Sequence, residues 1–344
     1  MSFDSTTRIP ASNLKQVLES YLASKHGLKL KNDFPPYSAD PSPKGTEQLT
    51  VIFPVYNAES FLDEALHGIR KQTYRNFRVL AINDGSTDGS LEILKRHASE
   101  DSRIDIIRRE NHGLVRTLNE ALKRVNTPLV ARHDADDYSP PDRFEKQVRH
   151  FESNPKTGVL GTSFLVSKPT WSYGEYAPLR HRQILEHFAF RNCMAHGSIM
   201  ARTEVLKKAG GYSEAPEVHH VEDFDLWVRC AGISMIENLP EILYVYRDHV
   251  QNVSSRNIDI QIQGATRIAA ESKRKLIQKA GSLRDLMDCL FEFRKFYSSD
   301  PYALSRKQQF SVALKENARI LKKSGKKIGA ALRTRLVEAS QTGK

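Results

Sequence analysis

The feature that most constrains this chain is an alternation of two textures between residues 49 and 151. Short apolar runs fall at 49–55, 77–82, 104–107 and 128–131, and stretches with helical spacing of apolar side chains follow at 61–71, 90–97, 114–123 and from Pro140-Pro141 to 151. Runs that are apolar throughout suit strands buried on both faces. Strands separated by helices of this length predict an α/β fold, a mostly parallel sheet with helices on both sides. Ser86, Thr87 or Asp88 is placed to cap the second helix, and the proline pair to open the fourth. Further on, 158–166 reads as a strand, 179–190, 202–209 and 222–230 as helices, and 242–246 as a strand, with Gly210-Gly211 ending the second of those helices. Residues 258–336 read as mostly helical and polar, interrupted near Gly281, Asp300-Pro301 and Gly325.

The organisation this predicts is an appendage with a Pro-rich linker at 1–46, one short helix at 13–25 within it, a body at 47–255, and a helical, basic extension at 256–344. A length of 344 residues accommodates one large α/β domain with such additions. The net charge of +11 is concentrated at the end: residues 301–344 hold eleven Lys or Arg against two Glu. Basicity is thus a property of the tail, which argues against a nucleic-acid-binding body. Cys193, Cys230 and Cys289 are spaced 37 and 59 apart, fit no zinc motif, and are odd in number. A reducing, cytoplasmic setting is the expectation. No apolar stretch approaches the ~18 residues of a membrane helix, and the first ten residues do not read as a secretory signal.

Four polar clusters stand immediately after the four strands: Tyr56-Asn57, Asp84-Gly85-Ser86, Glu110-Asn111-His112-Gly113 and His133-Asp134-Ala135-Asp136-Asp137. Any one suits a turn, but on a parallel sheet all four converge where such folds bind ligands. Asp134-x-Asp136 offers hard oxygen donors for Mn²⁺ or Mg²⁺, an ion able to bridge a nucleoside diphosphate. The structural alternative is a capping loop in which Asp136 or Asp137 caps the helix near Pro140. Three carboxylates in four positions repel one another without a cation, which favours the metal reading. Asp84 carries the acceptor a uracil N–H requires, or else forms an Asx-turn.

The strings TVIFPVYNAESFLDEAL, FRVLAINDGSTDGS, ENHGLVRTLNEAL and ARHDADDYSPPDRFEKQ, in this order and spacing, resemble the donor half of glycosyltransferase family 2, whose fold is called GT-A. The resemblance covers 49–165 and implies an inverting enzyme that uses a nucleotide-sugar donor, UDP-sugar by expectation. It implies that Pro54, Tyr56 and Asn57 line the nucleotide pocket and that Asp84 reads the base. Glu110, Asn111 and Gly113 would sit near ribose and base, Arg132 near the diphosphate or sugar, and Asp134 and Asp136 would form the metal-binding D-x-D pair. His133 departs from the family's large apolar residue, and no function is attached to it.

The acceptor half, 166–255, is carried by MAHGSIMARTEVLKKAGGY and VEDFDLWVRC. Inverting transfer needs a base for the attacking hydroxyl, and the resemblance implies Asp223, with Glu222 as neighbour. The alternative is that both simply stabilise the first turn of a helix. His249, in YRDHVQNVS, is similar to a family histidine that approaches the metal or diphosphate; a structural or solvated role is the alternative. His196 suits the acceptor pocket or packing, Trp227 the core, and Trp171 and Tyr173 a loop able to touch sugar.

The partners expected are a nucleotide sugar and a glycan or lipid-linked acceptor. Phe310, Leu314, Leu321, Ile328, Leu332 and Leu336 recur among lysines in the tail. That pattern fits either a helix on the inner, anionic face of a membrane or a terminal helix packed on the body. Three competing readings are a catalytically silent module of the same fold, nucleic-acid binding through the tail, and a nucleotidyltransferase. The last expects a Gly-rich, basic loop where this chain has FPVYNAES.

Overall fold

The computed structural model describes residues 9–10, 47–250, 252 and 257–279. The helix expected at 13–25, Cys289 and the basic tail lie outside the described residues. In chain order the strands are β1 (Ile9–Pro10), β2 (Leu49–Val55), β3 (Phe77–Asp84), β4 (Ile104–Arg109), β5 (Leu129–Arg132), β6 (Thr157–Ser167), β7 (Trp171–Glu175), β8 (Met200–Arg202) and β9 (Met235–Arg247). The helices are α1 (Glu59–Arg70), α2 (Ser90–Glu100), α3 (Leu114–Arg124), α4 (Arg143–Ser153), α5 (His181–Phe188), α6 (Thr203–Lys208), α7 (Glu222–Cys230) and α8 (Ile258–Lys279).

One sheet runs in the order β1-β7-β6-β8-β5-β2-β3-β4, and β9 also pairs with β6. The donor half is parallel, as its apolar runs predict: β2 pairs with β3 and β5, and β3 with β4. Beyond β5 the sheet is mixed, since β8 is antiparallel to both β5 and β6 while β9 runs parallel to β6. From β2 the chain builds outward through β3 and β4, then returns to place β5 on the other side of β2. That reversal opens a crevice beyond the carboxyl ends of β2 and β5.

Burial on both faces explains the strand composition. In β2, Leu49, Val51, Phe53 and Val55 face a core shared with α1, α2 and α4, through Leu62, Leu66, Leu94, Phe144 and Phe151. Ile52 faces the opposite core with Leu118, Leu122, Ile184, Phe188, Leu206, Phe224 and Trp227, from α3, α5, α6 and α7. Helix α8 enters this second core with Ile268 and Ala269. Trp227 is fully buried there, as its position in the sequence predicts.

Three differences from the sequence reading bear on the site. Residues 171–175, expected as a loop, form β7, where Trp171 and Tyr173 stack with ring centroids 5.1 Å apart. Residues 200–202 form a strand before the helix, wedged between β5 and β6. The last strand spans Met235–Arg247 rather than 242–246, because its pairing with β6 continues through irregular register. Among the described residues no helix is long and apolar enough to cross a membrane.

Candidate active site

The loops after β2 and β3 are built as one unit. Asn57 adopts φ +47°, and the amides of Asn57, Ala58 and Glu59 donate to Ser86 Oγ (3.1 Å), Ser90 Oγ (2.9 Å) and Asp88 Oδ2 (3.0 Å). Asn57 Oδ1 accepts in return from Thr87 N at 2.8 Å, and Glu59 Oε2 from Gly89 N at 3.0 Å. Two of the orphan amides at the start of α1, those of Ala58 and Glu59, are therefore satisfied by the neighbouring loop. Asp88 also accepts from Ser90 N at 3.1 Å, so one carboxylate serves the first turns of α1 and α2. Tyr56 stands 54% exposed at the mouth of this unit, beside half-buried Pro54.

Asp84, at the end of β3, is nearly buried and does not form the Asx-turn that is its structural alternative; Asn83 does, accepting from Ser86 N at 3.0 Å. Asp84 reaches instead to the third loop. Its Oδ1 accepts from His112 N (3.0 Å) and meets Arg109 Nη2 (2.9 Å), and its Oδ2 accepts from Gly113 N (2.9 Å). The carboxylate thus caps α3 from a different strand, and among the described residues one lone pair of Oδ2 is left untaken. Gly85, with φ +75°, permits the approach: a Cβ there would lie 2.6 Å from Asn111 N. Glu110 and Asn111 are exposed on the same rim.

The Asp134–Asp137 segment divides its labour. Asp137 is 1% exposed and faces inward, where Oδ2 accepts from the Tyr244 hydroxyl (2.7 Å) and Oδ1 from Arg247 N (2.8 Å). Burial and the neighbouring Asp134 charge push its pKa well above the ordinary carboxylate range. Neither Asp136 nor Asp137 caps the following helix, whose N-cap is Asp142. Asp137 ties the loop to β9 instead, with Tyr138 bridging to Val245 through two backbone hydrogen bonds of 3.1 and 2.8 Å.

Asp134, unlike Asp137, keeps part of its side chain exposed. Its Oδ2 pairs with Arg132 and lies 3.3 Å from the Tyr244 hydroxyl, and among the described residues its side-chain contacts all fall on that oxygen. Burial raises its pKa, with Arg132 opposing. Asp136 Oδ2 meets His249 Nε2 at 3.2 Å, and the His249 ring stacks on Phe61 of α1 at 4.5 Å. Buried His133 donates from Nδ1 to the Asp134 carbonyl (2.7 Å) between Phe53 and Tyr244, and burial holds it neutral. It is a packing residue, in keeping with its apolar family counterpart.

Three supports of this loop are absent from the sequence reading. Tyr244 reaches Asp134 and Asp137 across more than a hundred residues of chain. Fully buried Arg143 donates to the carbonyls of Arg132 (3.0 Å) and Ile199 (3.2 Å), fixing the end of β5. Gly197 lies against Tyr244, where a Cβ would come within 1.8 Å of the hydroxyl. Only Gly197 leaves a sequence trace, as the glycine of MAHGS; the other two contacts require the fold.

On the acceptor side, Glu222 and Asp223 open α7. Asp223 Oδ1 accepts from its neighbour's amide, Phe224 N (2.7 Å), and Oδ2 from Asn192 Nδ2 (2.9 Å). Burial, reinforced by the Glu222 charge, lifts the Asp223 pKa to about 7, and burial raises Glu222 as well. Arg132, which pairs with Asp134, opposes both shifts through its charge. His196 hydrogen-bonds the Tyr212 hydroxyl (2.9 Å) and lies edge-on to Trp227 at 5.9 Å, so packing accounts for it.

The chemistry of the donor set fits a divalent cation of the Mn²⁺ or Mg²⁺ kind. Two loop carboxylates supply hard oxygen donors, an imidazole stands beside one of them, and such ions are completed by water and substrate phosphates rather than by a protein cage. Among the described residues no group of three or more His, Cys, Asp or Glu is arranged to hold a metal ion by itself.

A parallel sheet that reverses at β2 and β5, with a D-x-D loop at the reversal and the Glu222-Asp223 pair opening α7 in the acceptor half, defines the GT-A class of α/β enzyme. The glycosyl transferase family 2 model matches residues 50–209. EpsE of Bacillus subtilis, a protein named as a glycosyltransferase, is 32% identical over 236 residues, covering 66% of this chain and 82% of EpsE. The O-antigen biosynthesis glycosyltransferase WbnJ of Escherichia coli is 29% identical, with 72% of this chain and 96% of WbnJ covered. Among solved structures, S. aureus TarS in complex with UDP-GlcNAc aligns with a TM-score of 0.53 at 19% identity, over 78% of this chain and 79% of that one. The mannosyltransferase PcManGT from Pyrobaculum calidifontis, in complex with GDP-Man and Mn²⁺, aligns with a TM-score of 0.51 at 18% identity, over 96% and 94%. The chain belongs to glycosyltransferase family 2, and it is a glycosyltransferase.

Proposed function

We propose that this enzyme transfers a sugar from a UDP-sugar to a hydroxyl of a glycan or lipid-linked acceptor, with inversion at the anomeric carbon, in polysaccharide assembly. The observation that carries the reading is the D-x-D loop at the end of β5, where Asp134 pairs with Arg132 and Asp136 meets His249, on the same strand-end edge as Asp84. Relatives named for O-antigen and amylovoran biosynthesis support the polysaccharide class.

Pro54, Tyr56, Asn57, Glu110, Asn111 and Gly113 would line the nucleoside, and the remaining lone pair of Asp84 Oδ2 would accept the uracil N–H. Asp134 and Asp136 would hold Mn²⁺ or Mg²⁺ against the diphosphate, with His249 beside Asp136. Such a cation offsets charge on the departing diphosphate. Arg132 adds a fixed positive charge close to the same phosphates. Asp223 takes the proton from the acceptor hydroxyl as its oxygen attacks the anomeric carbon, opposite the breaking bond to the diphosphate. A pKa of about 7 leaves Asp223 both ionised and basic enough for that step near neutral pH.

Calorimetric titration of UDP, GDP, dTDP and CDP, each with Mn²⁺ and with excess EDTA, tests the donor side. Mn²⁺-dependent binding of UDP, lost in Asp134→Asn and Asp136→Asn, is the expected result. Preference for another base would replace the donor. No binding of any nucleotide by folded protein would remove the reading.

A further inference from the structure

The loop between α5 and β8 delivers one polar side chain to the Asp223 carboxylate. Cys193 and Met194 are buried in the core and pin this loop from the apolar side. Its near end is held by the Arg191–Glu175 ion pair, 2.5 Å long. Between these anchors Asn192 makes two contacts of opposite kind. Its Oδ1 accepts from Met194 N at 3.0 Å, and its Nδ2 donates to Asp223 Oδ2 at 2.9 Å. The first contact decides the second: an amide whose oxygen is taken by a backbone N–H can only present its NH₂ to the carboxylate.

We propose that Asn192 is a positioning residue for Asp223, its locked amide holding the carboxylate in one orientation and supplying a hydrogen bond to the charged form. This rests on the reading of Asp223 as the base. Phe224 N holds Oδ1 and Asn192 holds Oδ2, so the carboxylate plane is fixed at both ends. The charged and titratable groups facing it are Glu222 on its own helix, Arg132 at the end of β5, and Tyr212 in the loop after α6. Glu222 and burial disfavour the charge, and Arg132, Phe224 N and Asn192 favour it. Asn192 is the neutral member of that balance, so it supports the charge without competing for the acceptor's proton.

Two substitutions separate positioning from loop support. Asn192→Asp is isosteric and keeps an acceptor for Met194 N, but it puts a carboxylate where the donor was. Asn192→Ala removes both contacts. The probe is the protonated-carboxyl infrared band of the full chain, titrated from pH 4 to 9 and assigned to Asp223 by its loss in Asp223→Asn; no substrate is needed. The expected midpoint rises by about one pH unit in Asn192→Ala. In Asn192→Asp two coupled steps replace one, the upper above the wild-type midpoint. Unchanged midpoints in both variants would overturn the inference, leaving Asn192 a loop residue, while the base reading stands or falls separately on Asp223→Asn. If Asp223→Asn still hydrolyses or transfers sugar from a UDP-sugar with Mn²⁺, the base reading fails and takes this inference with it.

Discussion

Asp223 places function and stability in opposition at a single residue. Its carboxyl ionises near 3.8 in an unfolded chain and at about 7 in the fold. Between those values the native state keeps a proton the unfolded state has lost, so stability falls as pH rises through the interval and levels off above 7. Activity runs the other way, because only the ionised form can take a proton. We expect Asp223→Asn to be more stable than the parent at pH 8, on the order of 2–4 kcal/mol, and to lose that advantage toward pH 4. Urea unfolding at pH 4.5 and pH 8 measures it, and equal stabilities at both would show that the burial cost is absent. Turnover by the parent should decline as pH drops below about 7.

At the scale of elements, β9 organises the donor loop although it contributes none of the D-x-D residues. It pairs with β6, bridges to Tyr138, and sends Tyr244 to Asp134 and Asp137. Gly197→Ala should therefore act at a distance, since its methyl would lie 1.8 Å from the Tyr244 hydroxyl and displace the ring. The expected cost is about 1–3 kcal/mol of stability, with Mn²⁺-dependent UDP affinity weakened at least tenfold while Tyr244→Phe, which keeps the ring in place, loses less. Denaturant unfolding and calorimetry on both variants check this, and an unaltered UDP affinity in Gly197→Ala would remove the link. This part of the site was not legible in the sequence. The donor half was, because parallel strands buried on both faces read as apolar runs and their carboxyl ends are where ligand loops must fall. Strand β9 mixes Glu237, Asn238, Pro240 and Glu241 into its first half, and β7 is only five residues long with half-buried aromatics, so neither shows the apolar pattern in full. Contacts such as Tyr244 with Asp137 or Asn192 with Asp223 join segments that no local pattern connects. Asp84 was legible as a polar residue at a strand end, but its service as a distant cap for α3 depends on where β3 and β4 lie in the sheet.

At the scale of the molecule, the sheet joins donor and acceptor halves without a break, and the second core is completed by a helix that follows the last strand. Ile268 and Ala269 of α8 are 7% and 5% exposed and share that core with Leu226 and Trp227 of α7, the helix that begins with the Glu222-Asp223 pair. Val221, the N-cap of α7, lies close beneath Gly264 of α8, where a Cβ would come within 2.6 Å of it. Helix α8 therefore buttresses the start of the helix that carries the base. A body ending at 255 would leave this face of α7 open, and one ending at Lys279 would keep it covered. Within the full chain the same point is reached by Ile268→Ala, which should cost about 2–4 kcal/mol through the lost burial and the cavity. Because the change falls in the core that α7 shares, acceptor-side function should weaken before donor binding does. The check is to compare Mn²⁺-dependent UDP affinity with sugar turnover in Ile268→Ala at a temperature where the variant is still folded. Equal losses in both would mean that α8 stabilises the molecule as a whole, and a loss confined to turnover would tie it to the base-bearing helix.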